Sequence, residues 1–373
     1  MKAIIVGAGI MGLSTAWALA RSGHDVEVFE QGPLPNPLAS SMDDHRLIRH
    51  PYGDHTGYAR LIDDAFAAWD EMWRDLGQRL YAATGTLALT GNGADWAQRS
   101  AASLQAIGRP MTALALDELP RRFPMIDSRG VEHACWIETG GELFAQDIVV
   151  ALARHLDTRS NVRLHAGTPV RAVDLEHGRV TTASGTEHAA DVVVVAAGAW
   201  VGRLLPSLAR RLVPSRQVVV YFQLPDEVRQ AWSKGPMIID KTGEVGLYLV
   251  PPHDGRGMKV GDHEFSRRGD PDGSRDDATE AEMKPLLDRC ASLLRGFDRW
   301  RVDRLKVCFY TVTDDERFVV EKTGARGWVM SPCSGHGFKF GALMGRELAR
   351  TIVSEREPAA HARWAAGLEG DTK

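Results

Sequence analysis

The sequence predicts an α/β chain in which a domain of parallel strands is interrupted by pieces of a second, mainly antiparallel α+β domain. Three observations carry this. A glycine-rich turn joins a short apolar strand to a helix at residues 2–23. A run of four valines, Val192–Val195, stands far downstream of it. Between residues 215 and 265 apolar, β-branched runs follow one another as strands do. At 373 residues the chain is long for one core, so two domains are the default.

Residues 2–6, KAIIV, suit a parallel strand buried on both faces. Gly7-Ala8-Gly9-Ile10-Met11-Gly12 follows, then a helix ending at Gly23, then a second strand, 25–29, that finishes at Glu30. Gly7 permits the tight turn, Gly9 lets a pyrophosphate approach backbone N–H groups at the positive end of the helix, and Gly12 lets helix and strand pack closely. Glu30 can accept both hydroxyls of an adenosine ribose. The pattern is that of a dinucleotide site, and by itself it does not separate FAD from NAD.

Residues 56–80 read as a helix, with apolar positions at Ala59, Ile62, Phe66, Trp69, Met72 and Trp73. Short strands such as 86–89, a polar helix over 93–107 and a helix over 147–156 come next. Strands are expected at 161–165 and 169–173, then a hairpin turn at Glu176-His177-Gly178 leading to 180–182. The valine strand runs into Ala196-Ala197-Gly198-Ala199-Trp200, which resembles a second signature of FAD-binding oxidoreductases and moves the choice to FAD. Further strands are expected at 218–222, 245–250 and 258–261, then a charged, exposed connection over 266–277. The expected division is a discontinuous FAD-binding domain, 1–80, 145–215 and 300–373, and a substrate domain, 81–144 and 216–299.

Hydrophobic content of 44% and charged content of 25% are ordinary for a globular enzyme, and a net charge of −4 offers no basic field for nucleic acid. The four cysteines, Cys135, Cys290, Cys308 and Cys333, lack CxxC spacing, which argues against a disulfide framework and a zinc site and fits a reducing, cytoplasmic setting. The N-terminal apolar run is read as a buried strand and helix rather than a signal peptide, and no apolar stretch has membrane-spanning length.

GAGIMG, HRLIRHPYG at 45–53, MKVGDH at 258–263, KVCFYTVTDDERF at 306–318 and CSGHGFKFG at 333–341 occur in that order. Together they resemble monomeric sarcosine oxidase and N-methyltryptophan oxidase, a branch of the D-amino-acid oxidase superfamily, nearly end to end. The resemblance implies a Rossmann-like FAD domain of the glutathione-reductase type and FAD held covalently through the Cys308 thioether to the flavin 8α carbon. It implies Arg46 beside the flavin ring, Arg49 and Lys339 as a clamp on the substrate carboxylate, Tyr248 and His263 lining the substrate cavity, and Lys259 as the site of oxygen activation. Val170, Gly198, Gly335 and Gly337 join Gly7, Gly9, Gly12, Glu30 and Lys339 in the expected cofactor set. Its implied partners are a small secondary amine or amino acid and O2, and the chain is expected to be a monomer.

Two stretches depart from the family. The usual glycine and threonine ahead of the first arginine are replaced within Ser41-Met42-Asp43-Asp44-His45, and the loop 251–257 is charged. Asp43 and His45 can therefore change the pocket, and a preference for sarcosine is not carried over.

Chemically, the expected reaction moves a hydride equivalent from the carbon next to nitrogen to the flavin, and the product imine hydrolyses in water. Gly335–Lys339 is expected to open the helix 340–352 and point its N–H groups at the flavin edge that gains charge. Arg304 and Lys306 are the chain neighbours that can favour a Cys308 thiolate. An amino acid dehydrogenase using another acceptor, and a tailoring oxidase acting on a larger amine, are the alternative readings. The presence of Lys259 counts against the dehydrogenase.

Overall fold

The structure, a computed structural model, describes residues 1–273, 278–354 and 357–368. Lys2–Val6 is flanked by Asp25–Phe29 and Val192–Val195, all parallel. Val162–His165 and Gly327–Ser331 extend this sheet as parallel strands, and Val319–Lys322 closes one edge antiparallel, making six strands. Such a sheet must be covered on both faces, which is why its central strands, Lys2–Val6, Val192–Val195 and Gly327–Ser331, are almost wholly apolar, while charged residues such as Glu27, Arg163 and Glu321 fall on the outer ones. Helices Ile10–Arg21, Thr56–Leu76 and Gly341–Ser354 pack together on it through Leu13, Trp17, Trp69 and Leu348.

The second sheet has eight strands, in the order Arg301–Val312, Val213–Gln223, Met258–Asp262, Leu247–Val250, Met237–Lys241, Thr86–Thr90, His133–Ile137, Thr112–Leu114. Every pairing is antiparallel except that of Met237–Lys241 with Thr86–Thr90. Side chains alternate between its faces. Leu247, Leu249, Met258, Val260, Val220 and Phe222 pack into one core with helix Glu280–Leu293, whereas Tyr248, Val250, Val219 and Tyr221 turn to the other face. That second face is the one the site uses.

Local chemistry moves several expected boundaries. The helix expected over 56–80 ends at Leu76, because Gly77 adopts a left-handed conformation at φ 68°. The helix expected over 93–107 starts at Trp96, after Asn92 and Gly93 turn the chain with positive φ. The helix expected from Phe340 is a 3-10 turn, Phe338–Phe340, that leads into Gly341–Ser354. Strand Met237–Lys241 and helices Asp226–Trp232 and Glu280–Leu293 had no separate expectation; the last starts at a capping box made by Thr279 and Glu282. Strand Arg301–Val312, which the boundary at 300 groups with the FAD domain, pairs along its length with Val213–Gln223 in the eight-stranded sheet. In the connection expected over 266–277, residues 274–277 lie outside the described residues; Asp270 and Asp272 pair with Arg203. No helix among the described residues is long and apolar enough to cross a membrane.

A Cβ at Gly12 would stand 1.9 Å from the carbonyl oxygen of Gly7. Gly12→Ala is therefore expected to destabilise the protein by about 1–3 kcal/mol or more, since neither backbone can yield without moving helix or strand. Thermal unfolding of the variant reads this directly, and an unchanged melting curve contradicts it.

Candidate active site

One cavity of 390 Å³ is walled by both sheets and carries nearly all the expected site residues. At one end are Gly7, Gly9 and Glu30. Gly7 has φ 105°, and a Cβ there would meet the Ala196 carbonyl at 2.4 Å, so the end of the valine strand crosses directly over the turn. A Cβ on Gly9 would meet only the Ser41 hydroxyl, at 3.1 Å. The buried Glu30 carboxylate accepts from Ala8 N (2.8 Å), the Asn36 amide (2.8 Å) and Gly32 N (3.1 Å). Val170 and Gly198 line the same cavity, Val170 two residues after Thr168, whose N–H donates to the Glu30 carbonyl.

The far end holds Arg49, Lys339, His263 and Tyr248. Arg49 is 7% exposed, and its Nε and Nη1 are buried with no hydrogen-bond partner among the described residues. Its guanidinium lies 4.6 Å from the Tyr52 ring centre and 5.6 Å from that of Trp96. Lys339 Nζ donates to the Tyr52 hydroxyl (3.1 Å) and the His336 carbonyl (2.8 Å). Tyr52 thus touches both cations. It follows Arg49 by three residues, and that spacing gave no sign of its role, because Lys339 is 287 positions further on. Burial, then the neighbouring Arg49, pulls the Lys339 ammonium well below its ordinary pKa. Burial, then Arg49, Lys241 and Lys339, keeps His263 neutral. The His263 ring stands 5.3 Å from Tyr248, and its Nε2 has no partner among the described residues. Tyr248 reaches the cavity because Gly261, opposite it in the ladder, leaves room for its hydroxyl.

Lys259 and Arg46 also line the cavity. Lys259 is 1% exposed, and Tyr221 and Val250 stand opposite it on the two flanking strands. Its Nζ donates to Asp43 Oδ2 at 2.5 Å and to the His45 carbonyl at 3.1 Å. Asp43 is wholly buried, pairs also with Arg46, and accepts the Tyr221 hydroxyl on its other oxygen. Burial and Arg46 push the Lys259 ammonium down, while the touching Asp43 carboxylate acts the opposite way. In the departing loop 41–45, Asp43 and His45 therefore meet Lys259, while Ser41 lines the cavity.

Two expected residues do not line the cavity: Gly12, which serves the packing, and Cys308. Cys308 is buried beside Tyr310 and Cys333. The strand's period of two sets Arg304, Lys306, Cys308 and Tyr310 on one face. Both expected positive neighbours of the thiol are engaged with the 42–44 loop, Arg304 with Asp44 and Lys306 with the Met42 carbonyl. Cys333 does line the cavity, and its sulfur accepts from Thr311 N at 3.3 Å. Gly335 and Gly337 also line it, but a Cβ at Gly337 would meet the Pro332 carbonyl at 1.7 Å, so that glycine answers first to the loop's own backbone.

The FAD dependent oxidoreductase (DAO) family matches residues 2–351. Monomeric sarcosine oxidase of Bacillus sp. (strain B-0618) is 27% identical over 363 residues, covering 94% of this chain and 92% of the relative. N-methyl-L-tryptophan oxidase of Yersinia pestis (strain Pestoides F) is 26% identical over 366 residues, covering 95% of each. Among solved structures, NikD, an unusual amino acid oxidase essential for nikkomycin biosynthesis, superposes with a TM-score of 0.80 at 20% identity, over 95% of this chain and 94% of that one.

Proposed function

The chain belongs to the DAO family of FAD-dependent oxidoreductases, and from that premise we propose that it oxidises the C–N bond of a secondary amino acid, N-methyl or cyclic, to an imine. The substrate gives up two electrons and two protons, O2 takes them as H2O2, and water hydrolyses the imine. The carrying observation is the buried guanidinium of Arg49, two of whose nitrogens lack partners among the described residues. A buried cation of that kind is poised for an anion, and a carboxylate fills the fork with two parallel bonds. The names of the two curated relatives support the secondary amine.

The residues suit FAD at the other end. Gly9 leaves an open cradle before a helix N-terminus, and Glu30 is held there by Ala8 and Asn36. Gly7, Gly9, Glu30, Val170 and Gly198 would hold the nucleotide portion, Gly335 and Gly337 would face the flavin, and Cys308 would carry the covalent bond. When bound, FAD supplies the two-electron acceptor for the C–H bond. The protein's part is positional. Arg49 and Lys339 grip the carboxylate, and Tyr52 sets the distance between them. Tyr248 and neutral His263 wall the amine. The same buried cations disfavour an ammonium beside them and so favour the neutral amine that can be oxidised.

The test is anaerobic flavin bleaching across sarcosine, bulkier N-methyl amino acids and cyclic imino acids, with peroxide measured in air. Secondary amino acids are expected to bleach the flavin and their carboxyl-free amines to fail. Equal bleaching by the carboxyl-free amines overturns the clamp.

A further inference from the structure

We propose that Asp43 restrains the reaction of the reduced enzyme with O2 by cancelling the positive charge that Lys259 presents at the cavity wall. The inference rests on the oxidase reading above and adds a residue that sets the rate of its second half. Lys259 has three N–H donors. Two of them point into the segment 43–45, at the Asp43 carboxylate (2.5 Å) and the His45 carbonyl (3.1 Å). Lys259 lines the cavity and Asp43 does not, so the carboxylate stands behind the ammonium and draws it back. Arg46 shares the same carboxylate, and the Tyr221 hydroxyl occupies its second oxygen, so Asp43 is held as an anion acceptor on all sides. The three charged groups together present one net positive charge where two cations stand.

The consequence follows from elementary electrostatics. O2 gains negative charge as it takes the first electron. A lone cation about 4 Å away at a partly screened site favours that charge by up to roughly a thousandfold in rate. A carboxylate in contact with the cation removes most of the gain, because the two charges act on the cavity as a dipole. Asp43 acts through Lys259 and is a positioning residue. The other charged groups around Lys259 are Lys306, held by the Met42 carbonyl, and Asp44, paired with Arg304; neither touches its ammonium.

The enzyme is reduced with dithionite, so the measurement does not depend on which amine is the substrate, and is then mixed with O2 from about pH 5 to about pH 9, because a fully buried lysine without its counter-ion gives up its proton at about pH 5–6. At the acid end Asp43→Asn is expected to reoxidise at least about tenfold faster than wild type, an advantage that fades as the pH rises, while its reoxidation by a neutral quinone changes less than about threefold. An O2 rate at or below that of wild type at the acid end overturns the proposal, as does an equal acceleration with the quinone. If Asp43→Asn does not fold, Asp43→Ser, which also removes the carboxylate, carries the same expectation, and an O2 rate at or below that of wild type overturns the proposal. Independently of turnover, NMR titration of the Lys259 amine is expected to show its midpoint falling in Asp43→Asn, because a buried ammonium loses its counter-ion; an unchanged midpoint also overturns the pairing. Failure of the amine panel with a faster O2 reaction in Asp43→Asn would sink the substrate reading alone.

Discussion

Arg49→Met is expected to weaken the amino-acid substrate by roughly 30-fold to several-thousand-fold, the range for truncating one member of a buried, hydrogen-bonded charge pair. The free protein already bears the strain of this group: a 7% exposed guanidinium with two buried nitrogens unpartnered among the described residues. Substrate carboxylate relieves it, so the charge contributes to binding rather than to the fold. Methionine is accordingly expected to leave thermal stability equal or higher, since it keeps apolar contact with Tyr52 and Trp96. The effect should fall on the substrate concentration needed for half-maximal anaerobic flavin reduction. Carboxyl-free amines should show no difference between wild type and variant. If Arg49→Met binds amino acids as tightly as wild type, the anion site lies elsewhere.

Cys308→Ser is expected to abolish covalent flavin. Acid-precipitated wild type should give a yellow pellet, and the variant a colourless one with all flavin in the supernatant. Serine is nearly isosteric, so the eight-stranded sheet should survive around Gln217, which faces Cys308 in the ladder. The structure supplies its own control. Cys333 lies in the same cluster and lines the cavity, which Cys308 does not. Cys333→Ser should keep the yellow pellet. The reverse pattern would move the attachment to Cys333, and a colourless wild-type pellet would remove the covalent bond from the reading altogether.

The parts legible in the sequence are those whose reasons are local. Gly7, Gly9 and Gly12 could be assigned from spacing because a strand–turn–helix passage makes its steric demands within six residues, and the Gly12 Cβ would indeed strike Gly7. Apolar, β-branched runs placed four strands of the second sheet, Thr86–Thr90, Val213–Gln223, Leu247–Val250 and Met258–Asp262, but not their faces. That Tyr248 turns to the cavity while Leu249 turns to the core depends on which face helix Glu280–Leu293 covers. Cys308 stood out through its motif, yet the motif says nothing of its seat behind the lining residues. Tyr52 escaped notice because a lone aromatic beside an arginine is common, and only the return of the chain at Lys339 makes it a bridge.

The amino-acid sequence alone determined the dinucleotide turn, the family and most of the named residues that gather in the cavity, because glycine sterics and contiguous motifs are properties of neighbouring residues. Tertiary structure alone decided the charge state of the wall. Asp43 and Arg46 are three apart, but Lys259 is 216 residues from Asp43. In the sequence Asp43 is one more acid in a polar loop. Folding brings it, dry, against an ammonium on the eight-stranded sheet, and a Coulomb interaction that water would screen becomes a large term at the site.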